Sequence, residues 1–167
     1  MIQSKHPLRL NVGFIVSQPI GTSRDFHFEY PQIHLHPDLD FTDFVGVIRI
    51  SKTPQGLLVQ AKFQAAAVAE CVRCLDVFAQ PLATEFSELY AFSPRTASES
   101  GLILPEDANI DLEPLAREYF MLELPISPIC RPDCKGLCIY CGENLNHTTC
   151  EHQINPQPLV DDSASDT

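Results

Sequence analysis

The chain has 167 residues, of which 44% are hydrophobic, and a formal net charge of −11. This length suffices for one domain with a core, or for one domain and a small appendage. No segment contains the ~18 consecutive apolar residues that a membrane helix needs, and residues 1–19 lack the features of a signal peptide. We therefore expect a soluble, cytoplasmic protein without a membrane partner. Its negative charge disfavours non-specific binding to nucleic acid and favours a basic protein partner or simple solubility.

The first two thirds of the sequence has the alternating pattern of β-strands. Apolar residues alternate over 8–16 and 26–30, and residues 44–52 form a β-branched run. The clearest predicted strand covers residues 57–71, with apolar side chains on one face and polar ones on the other. A further extended segment spans 77–92. The intervening motif CVRC therefore lies at the tip of a long predicted hairpin.

A loop over residues 93–108 precedes a predicted helix in DLEPLAREYFMLELP. Asp111 is a suitable N-cap, Pro114 is tolerated in the first turn, and Pro125 ends the helix. The apolar residues at helical spacing, which we expect to face the core, are Leu112, Leu115, Tyr119 and Leu122.

These elements predict an α+β, mostly β fold: an antiparallel sheet or barrel-like domain with a C-terminal helix and a cysteine-rich, zinc-binding lobe. We expect the β-rich domain with its terminal helix to cover residues 1–125, and the lobe, docked on it, to cover residues 126–153. Residues 154–167 lack apolar periodicity and are expected to form a disordered acidic tail.

The seven cysteines are the strongest functional signal in the sequence. In a reducing cytoplasm, clustered cysteines are more often metal ligands or catalytic thiols than disulfides, and an odd count disfavours a purely disulfide framework. Tetrahedral zinc takes four thiolate or imidazole ligands, usually as two short pairs. The sequence offers four such pairs, enough for two ions: Cys71–Cys74, Cys130–Cys134, Cys138–Cys141 and Cys150–His152.

We predict that these pairs form two zinc sites. The motif CIYCG has a glycine directly after its second cysteine, which permits a tight left-handed turn, and its nearest downstream partners are Cys150 and His152. One predicted site is therefore Cys138, Cys141, Cys150 and His152; the other, which would tie the C-terminal segment to the β-domain, is Cys71, Cys74, Cys130 and Cys134. Three alternatives stay open: a single site formed by Cys130, Cys134, Cys138 and Cys141; iron or no metal; and His147 in place of His152.

Catalytic roles for these cysteines have less support. A redox Cys-x-x-Cys pair usually begins a helix and has a lowered pKa, whereas CVRC lies between predicted strands and the neighbouring Glu70 would raise a thiol pKa. A catalytic zinc needs an open coordination position, and eight ligands for two ions leave none. The motifs of zinc proteases, serine hydrolases and phosphate-binding loops are absent. We therefore expect a protein that is not an enzyme and has no small-molecule substrate.

Taken together, CVRCL, the helix ending in LELP, the segment PICRPDCKGLCIYCGENLN and the final C-x-H resemble the YceD-like family of bacteria and plastids. The likeness covers roughly residues 20 to 155. It differs at His152, where the fuller pattern has a cysteine, and zinc accepts either ligand. The resemblance implies a non-enzymatic role in the accumulation of 23S ribosomal RNA and in biogenesis of the large subunit.

Direct contact with RNA has limited support in the residues. Ionised thiols in two zinc-loaded sites would bring the net charge to about −14, which weakens binding to phosphates. A small patch could still contact RNA or a protein: Arg73, Arg131, Lys135 and Tyr140. We expect ribosomal precursor particles as partners, bound through basic ribosomal proteins or assembly factors, and 23S RNA itself as the second hypothesis. The third is a zinc-stabilised binding module outside ribosome assembly or, with less support, a thiol redox protein.

Overall fold

The computed structural model describes residues 6–154, which fall into two compact units. Unit 1 comprises residues 6–68 and 79–126, and unit 2 comprises residues 69–78 and 127–154. The CVRC turn therefore belongs to the same unit as the C-terminal cysteines. Docking of the cysteine-rich lobe on the β-domain stays a prediction, and residues 155–167 of the expected disordered tail lie outside the described residues.

The strands form two antiparallel sheets, which confirms the mostly β class. The larger sheet has the order β2-β3-β4-β5, with β2 (Ser23–Leu35), β3 (Leu39–Lys52), β4 (Gly56–Glu70) and β5 (Val77–Ala91). Within residues 6–154 its edge strands do not pair with each other, so the sheet is open and is not a barrel. The smaller sheet pairs β1 (Arg9–Asn11) with β6 (Asn109–Asp111).

The helical elements are short, apart from one. They are α1 (Gly13–Val16), a 3-10 turn at Pro94–Thr96, α2 (Glu113–Glu123) and α3 (Glu151–Ile154). The prediction of a strand through residue 16 was wrong beyond residue 11, because the amide groups of Ile15 and Val16 both donate to Val12 O and close a helical turn there. In the described part of the chain, none of these helices has the length and apolarity to span a membrane.

The core of unit 1 lies between the large sheet and α2. Phe120 of α2 is fully buried, and its ring centroid lies 4.7 Å from that of Phe41 and 6.1 Å from that of Phe44. Gly46 of β3 leaves room for this packing, because a Cβ there would collide with the Phe63 ring. Burial of the aromatic side chains dominates the energetics of such a core.

The predicted face of α2 meets the core except at its C-terminal end. Leu112 is buried, and Leu115 and Tyr119 pack against the core, but Leu122 is 75% exposed. The prediction also left out Phe120, which is fully buried. The predicted N-cap is also displaced by one position: Leu112 is the N-cap residue, and Asp111 Oδ1 accepts the amide of Glu113 at 3.0 Å.

Candidate metal centres in unit 2

The turn between β4 and β5 presents the first pair of thiols. The Leu75 amide donates to Cys71 O, and the Cys71 amide donates to Asp76 O, both at 2.9 Å. Leu75 adopts a φ of +61°, in the left-handed region that non-glycine residues seldom occupy. This tight turn brings Cys71 and Cys74 together on one side of the backbone.

Four thiols from two distant segments meet at this turn and form cluster 1: Cys71, Cys74, Cys130 and Cys134. Their sulfur atoms all lie within 4.8 Å of one another. The Cys71–Cys134 and Cys74–Cys130 sulfur pairs are 3.8 Å and 3.7 Å apart. A tetrahedral ion with Zn–S bonds of about 2.3 Å holds its sulfur ligands about 3.8 Å apart. The spacing of the thiols therefore fits a four-coordinate ion, and cluster 1 could hold a metal.

The protonation behaviour of cluster 1 differs among its thiols. Burial opposes ionisation of Cys71, but backbone amides of residues 130, 74 and 73 outweigh it and lower the pKa of Cys71 to about 6. Burial, together with the neighbouring thiols, raises the pKa of Cys74 to about 12. The expectation that Glu70 would raise the pKa of Cys71 was wrong, because amide donors dominate. The thiolate is the form that binds metal, so this turn favours the ligand form of its first cysteine.

Polar side chains that the sequence analysis did not single out surround cluster 1. Asn146 Nδ2 donates to Cys134 Sγ at 3.3 Å, and this hydrogen bond is the largest cause of the lowered pKa of Cys134. Asn144 Nδ2 donates to both carboxylate oxygens of Asp76, at 3.0 and 3.1 Å. The quoted motif CGENLN contains both asparagines, so the signal was present although no role was assigned to it.

Cluster 2 is built on a second Cys-x-x-Cys turn of the same form and consists of Cys138, Cys141, Cys150 and His152. The Gly142 amide donates to Cys138 O at 2.9 Å, and Gly142 has a φ of +76°. Backbone amides of residues 141 and 140 lower the pKa of Cys138 to about 6. One potential ligand atom from each member lies within 4.8 Å of the others, so cluster 2 could also hold a metal ion.

The structure separates the two candidate histidines. His152 belongs to cluster 2, its ring stacks on Tyr140 with centroids 5.2 Å apart, and its Nδ1 is buried without a hydrogen-bond partner among the described residues. His147 instead places Nε2 at 3.1 Å from Asp76 Oδ2. A buried nitrogen without a partner is costly, and a bound ion is one way to satisfy the imidazole. The donor set thus fits a metal ion with His152 rather than His147.

The thiols do not group as the single-site alternative requires. Cys130 and Cys134 lie with the thiols of the hairpin turn, whereas Cys138 and Cys141 lie with Cys150. Each group has four potential ligands, and Cys71 is fully buried. Neither feature suits a thiol that must reach a redox substrate. That the ions are zinc, and that all eight residues bind them, stay predictions.

The four residues of the predicted contact patch all lie in unit 2. Arg73 Nη1 donates to Cys134 O at 3.2 Å, and Arg131 pairs with Asp133 at 3.5 Å. Lys135 is exposed, and Tyr140 is 46% exposed beside His152. Residues 69–78 and 127–154 contain three basic and five acidic side chains. The patch is therefore small and lies in acidic surroundings.

Unit 1 contains a third group of potential ligands: His6, Asp111 and Glu113. Ion pairs account for this arrangement. His6 Nδ1 lies 3.7 Å from Asp111 Oδ2, and the buried carboxylate of Glu113 accepts the amide of His36 at 2.7 Å and lies 2.8 Å from its Nδ1. Hydrogen bonds from His36 outweigh burial and hold the pKa of Glu113 below its usual value. We therefore assign this group a structural role.

The segment that contains both clusters is similar to known proteins. The family model described as large ribosomal RNA subunit accumulation protein YceD matches residues 59–161, which include all eight predicted ligands. An uncharacterized protein of Mycobacterium tuberculosis is 37% identical over 102 residues, which are 59% of this chain and 49% of the relative. A Mycobacterium leprae protein is 33% identical over 102 residues, again 59% of this chain, and 47% of the relative.

Plant relatives match a shorter segment. The Zea mays protein named large ribosomal RNA subunit accumulation protein YCED homolog 1, chloroplastic, is 44% identical over 43 residues, which are 26% of this chain and 15% of the relative. The chain thus spans about half the length of the mycobacterial relatives and a smaller share of the plant one. No solved structure matches the chain.

Proposed function

The chain belongs to the large ribosomal RNA subunit accumulation protein YceD family, and on that premise we propose that it is a non-catalytic cytoplasmic factor that supports 23S ribosomal RNA accumulation and large-subunit biogenesis. In this proposal both clusters bind zinc, which is structural and shapes the binding surface of unit 2. The main support is that the segment matched by the family model contains all eight candidate ligands. In addition, the sulfur spacing in cluster 1 fits tetrahedral zinc.

The absence of catalysis is proposed from the donor sets. A structural zinc site has four protein ligands, whereas a catalytic site leaves one position for water or substrate. Each cluster supplies four, and the thiols of Cys71 and Cys74 are buried. Such sites stabilise a small fold that has little apolar core of its own.

We further propose that contacts with ribosomal precursor particles are made mainly through basic ribosomal proteins or assembly factors. The whole chain carries a net charge of −11, and the acidic side chains of unit 2 outnumber the basic ones. Affinity for RNA depends on cations that neutralise phosphates, and Arg131 is already paired with Asp133. A basic protein surface complements this charge better than a phosphate backbone does.

The test is the ratio of 23S to 16S RNA in cells that lack the protein, after re-expression of the wild type or of a variant. We expect the wild type to restore the ratio and the Cys74→Ser variant, which removes a ligand of cluster 1, to fail. An unchanged ratio in the cells that lack the protein would contradict the proposal. Leu122→Ala, at an exposed position of unit 1, is the matched control and should restore the ratio.

A tagged pull-down with ultraviolet crosslinking then separates the two kinds of partner. Recovery of ribosomal proteins or assembly factors without crosslinked RNA supports the protein-contact version. Direct crosslinks of 23S precursor near Lys135 or Tyr140 would favour RNA binding instead. In that case, affinity should fall steeply between low and moderate salt.

A further inference from the structure

The eight-residue segment 142–149, here called the strap, connects Cys141 and Cys150 of cluster 2, yet its side chains act on cluster 1. Asn146 Nδ2 donates to Cys134 Sγ at 3.3 Å, and Asn146 Oδ1 accepts the amide of Lys135 at 2.9 Å. Both groups belong to the segment that carries Cys134. A residue anchored between two ligands of one cluster therefore hydrogen-bonds directly to a ligand of the other.

A second asparagine of the strap reaches the other half of cluster 1. Asn144 Nδ2 donates to both oxygens of Asp76, whose backbone carbonyl in turn accepts the Cys71 amide at 2.9 Å. The same Nδ2 lies 3.5 Å from Cys74 O. Asn144 thus supports the hairpin turn, while Asn146 contacts the thiol contributed by the C-terminal segment.

The two asparagines are also tied to each other and to the backbone between the clusters. Asn144 Oδ1 accepts hydrogen bonds from the backbone amide and from the side-chain Nδ2 of Asn146, both at 3.0 Å. The Leu145 amide donates to Gly136 O at 2.9 Å, and Cys138 N donates to Glu143 O at 2.8 Å. The strap is therefore held at its ends by the ligands of cluster 2 and in its middle by cluster 1.

From this geometry we propose that the strap couples the two metal sites, so that metal at cluster 2 raises the affinity of cluster 1, with Asn146 as the positioning residue for the Cys134 thiolate. The inference rests on the proposed binding of metal to both clusters. Without an ion at cluster 2, Cys141 and Cys150 are not tied to each other, so ordering the asparagines between them against cluster 1 costs more conformational entropy. An ion at cluster 2 fixes both ends of the strap and lowers that cost before cluster 1 is filled.

Coupling between two binding sites is reciprocal, so the same factor applies to both metal affinities. If metal at cluster 2 tightens cluster 1 by some factor, metal at cluster 1 must tighten cluster 2 by the same factor. Outer-shell hydrogen bonds to metal ligands are typically worth about 10- to 100-fold in affinity. We expect the coupling and the loss in Asn146→Ala to lie in this range.

Cobalt(II) titration of the full-length apoprotein, with a competing chelator, measures both affinities separately. Four thiolates and three thiolates with one imidazole give Co(II) different absorption bands, so each cluster has its own signal. Asn146→Ala keeps all eight ligands and should weaken Co(II) binding at cluster 1 about 10- to 100-fold, with a smaller change at cluster 2. Asn146→Gln, which keeps the amide, should recover part of the loss.

Thr148→Val is the matched control within the strap. The Thr148 hydroxyl lies 3.3 Å from Glu143 Oε2 and 3.2 Å from Asn144 O, shares its one hydrogen between them, and has no hydrogen bond to cluster 1. Its replacement should leave the cluster 1 affinity within about twofold of the wild type, since surface substitutions away from a site usually have small effects. An equal loss in Thr148→Val and Asn146→Ala would overturn the role of Asn146, because it would indicate general loosening of the strap.

Reciprocity is tested with one ligand removed from each cluster in turn. Cys150→Ser should weaken cluster 1 by the same factor by which Cys71→Ser weakens cluster 2. In the background of Cys150→Ser, Asn146→Ala should cost less than it does in the wild type, because both changes release the same strap. Two ions bound per chain with no dependence between them would overturn the coupling while the metal sites stand. A chain that binds no Co(II) would overturn both.

Discussion

Unit 1 and unit 2 achieve order by different means. Unit 1 buries a continuous apolar core between a four-stranded sheet and α2, with fully buried side chains that include Phe44, Phe63 and Phe120. The buried cluster of unit 2 consists of Cys71, Cys74 and Cys134, with Phe78 and Cys130 packed against it. A segment with so small an apolar core needs a disulfide or metal to fold. Bound metal should therefore matter most for unit 2, and apolar packing for unit 1.

Metal removal should disturb the fold more than any single substitution. Chelation of the proposed zinc ions should unfold residues 69–78 and 127–154 and leave the fold of unit 1 in place, because structural zinc contributes about 10–16 kcal/mol to a site. Amide NMR spectra before and after chelation, with zinc measured by mass spectrometry, check this. Loss of the unit 1 resonances, or an unchanged unit 2, would show that the two units do not differ in their dependence on metal.

The complementary change is Phe120→Ala in the core of unit 1. Removing a fully buried phenylalanine that contacts Phe41 and Phe44 should cost about 3–5 kcal/mol. Denaturation followed by far-UV circular dichroism measures the loss, since the chain contains no tryptophan. The variant should still bind two zinc ions per folded chain. Met121→Ala, at a half-exposed neighbouring position, is the control and should change stability by no more than about 0.5 kcal/mol.

The two units also differ in what could be predicted from the sequence. The strand over residues 57–71 followed from alternation within the segment itself, and its buried face is the predicted one, with Val59, Ala61 and Phe63 inside. The burial of Phe120 in α2 did not follow, because it depends on aromatic residues of β3 and β4 that lie more than 50 residues earlier. The helical turn at Val12 was not predicted for a similar reason. The Val12 amide donates a hydrogen bond to Ala108 O, and no local sequence pattern contains this contact.

In unit 2 the spacing of ligands carried more information than hydropathy. Pairs separated by two or three residues can reach one ion only if the turn between them is tight, so the pattern of cysteines limits the geometry. The grouping of four thiols and of three thiols with His152 is the predicted one. Asp76, Asn144 and Asn146 were not predicted, because an asparagine that supports a thiolate has no spacing rule of its own.

Unit 1 also contains a buried carboxylate, whose loss should have an effect of intermediate size. Glu113 is 5% exposed, and its carboxylate accepts the amide of His36. Glu113→Gln should therefore cost about 1.5–3 kcal/mol near neutral pH, the range for hydrogen bonds to charged groups. Because the pKa of Glu113 is below its usual value, its stabilisation is present above the unfolded pKa and is lost as pH falls through the folded pKa.

The measurement is the free energy of unfolding of unit 1 for the wild type and Glu113→Gln as pH is lowered from 7. The difference between the two should shrink towards zero below the ordinary glutamate pKa of about 4.3. A gap that stays constant with pH would show that the carboxylate does not act through its charge. Glu118→Gln, exposed on the same helix, should show neither the loss nor the pH dependence.

The smallest effect compares the two Cys-x-x-Cys turns of unit 2. Leu75 and Gly142 hold the same position after the second cysteine, with φ of +61° and +76° and the same amide hydrogen bond. This conformation costs a non-glycine residue roughly 1–2 kcal/mol. Gly142→Ala, which meets no other atom within 4 Å, should destabilise cluster 2 by about 1 kcal/mol, whereas Leu75→Gly should stabilise the first turn by up to about 1 kcal/mol.

Competition for zinc measures both changes at their own cluster. Leu75 is 55% exposed, so the sign of the effect reports whether relief of backbone strain exceeds the added chain entropy and the lost side-chain burial. If Leu75→Gly weakens cluster 1 instead, the side chain supports the turn and the two turns are not equivalent. If it binds zinc more tightly but no longer restores the 23S to 16S ratio, the strained leucine is retained for contact with a partner, since strain of this kind persists mainly at functional positions.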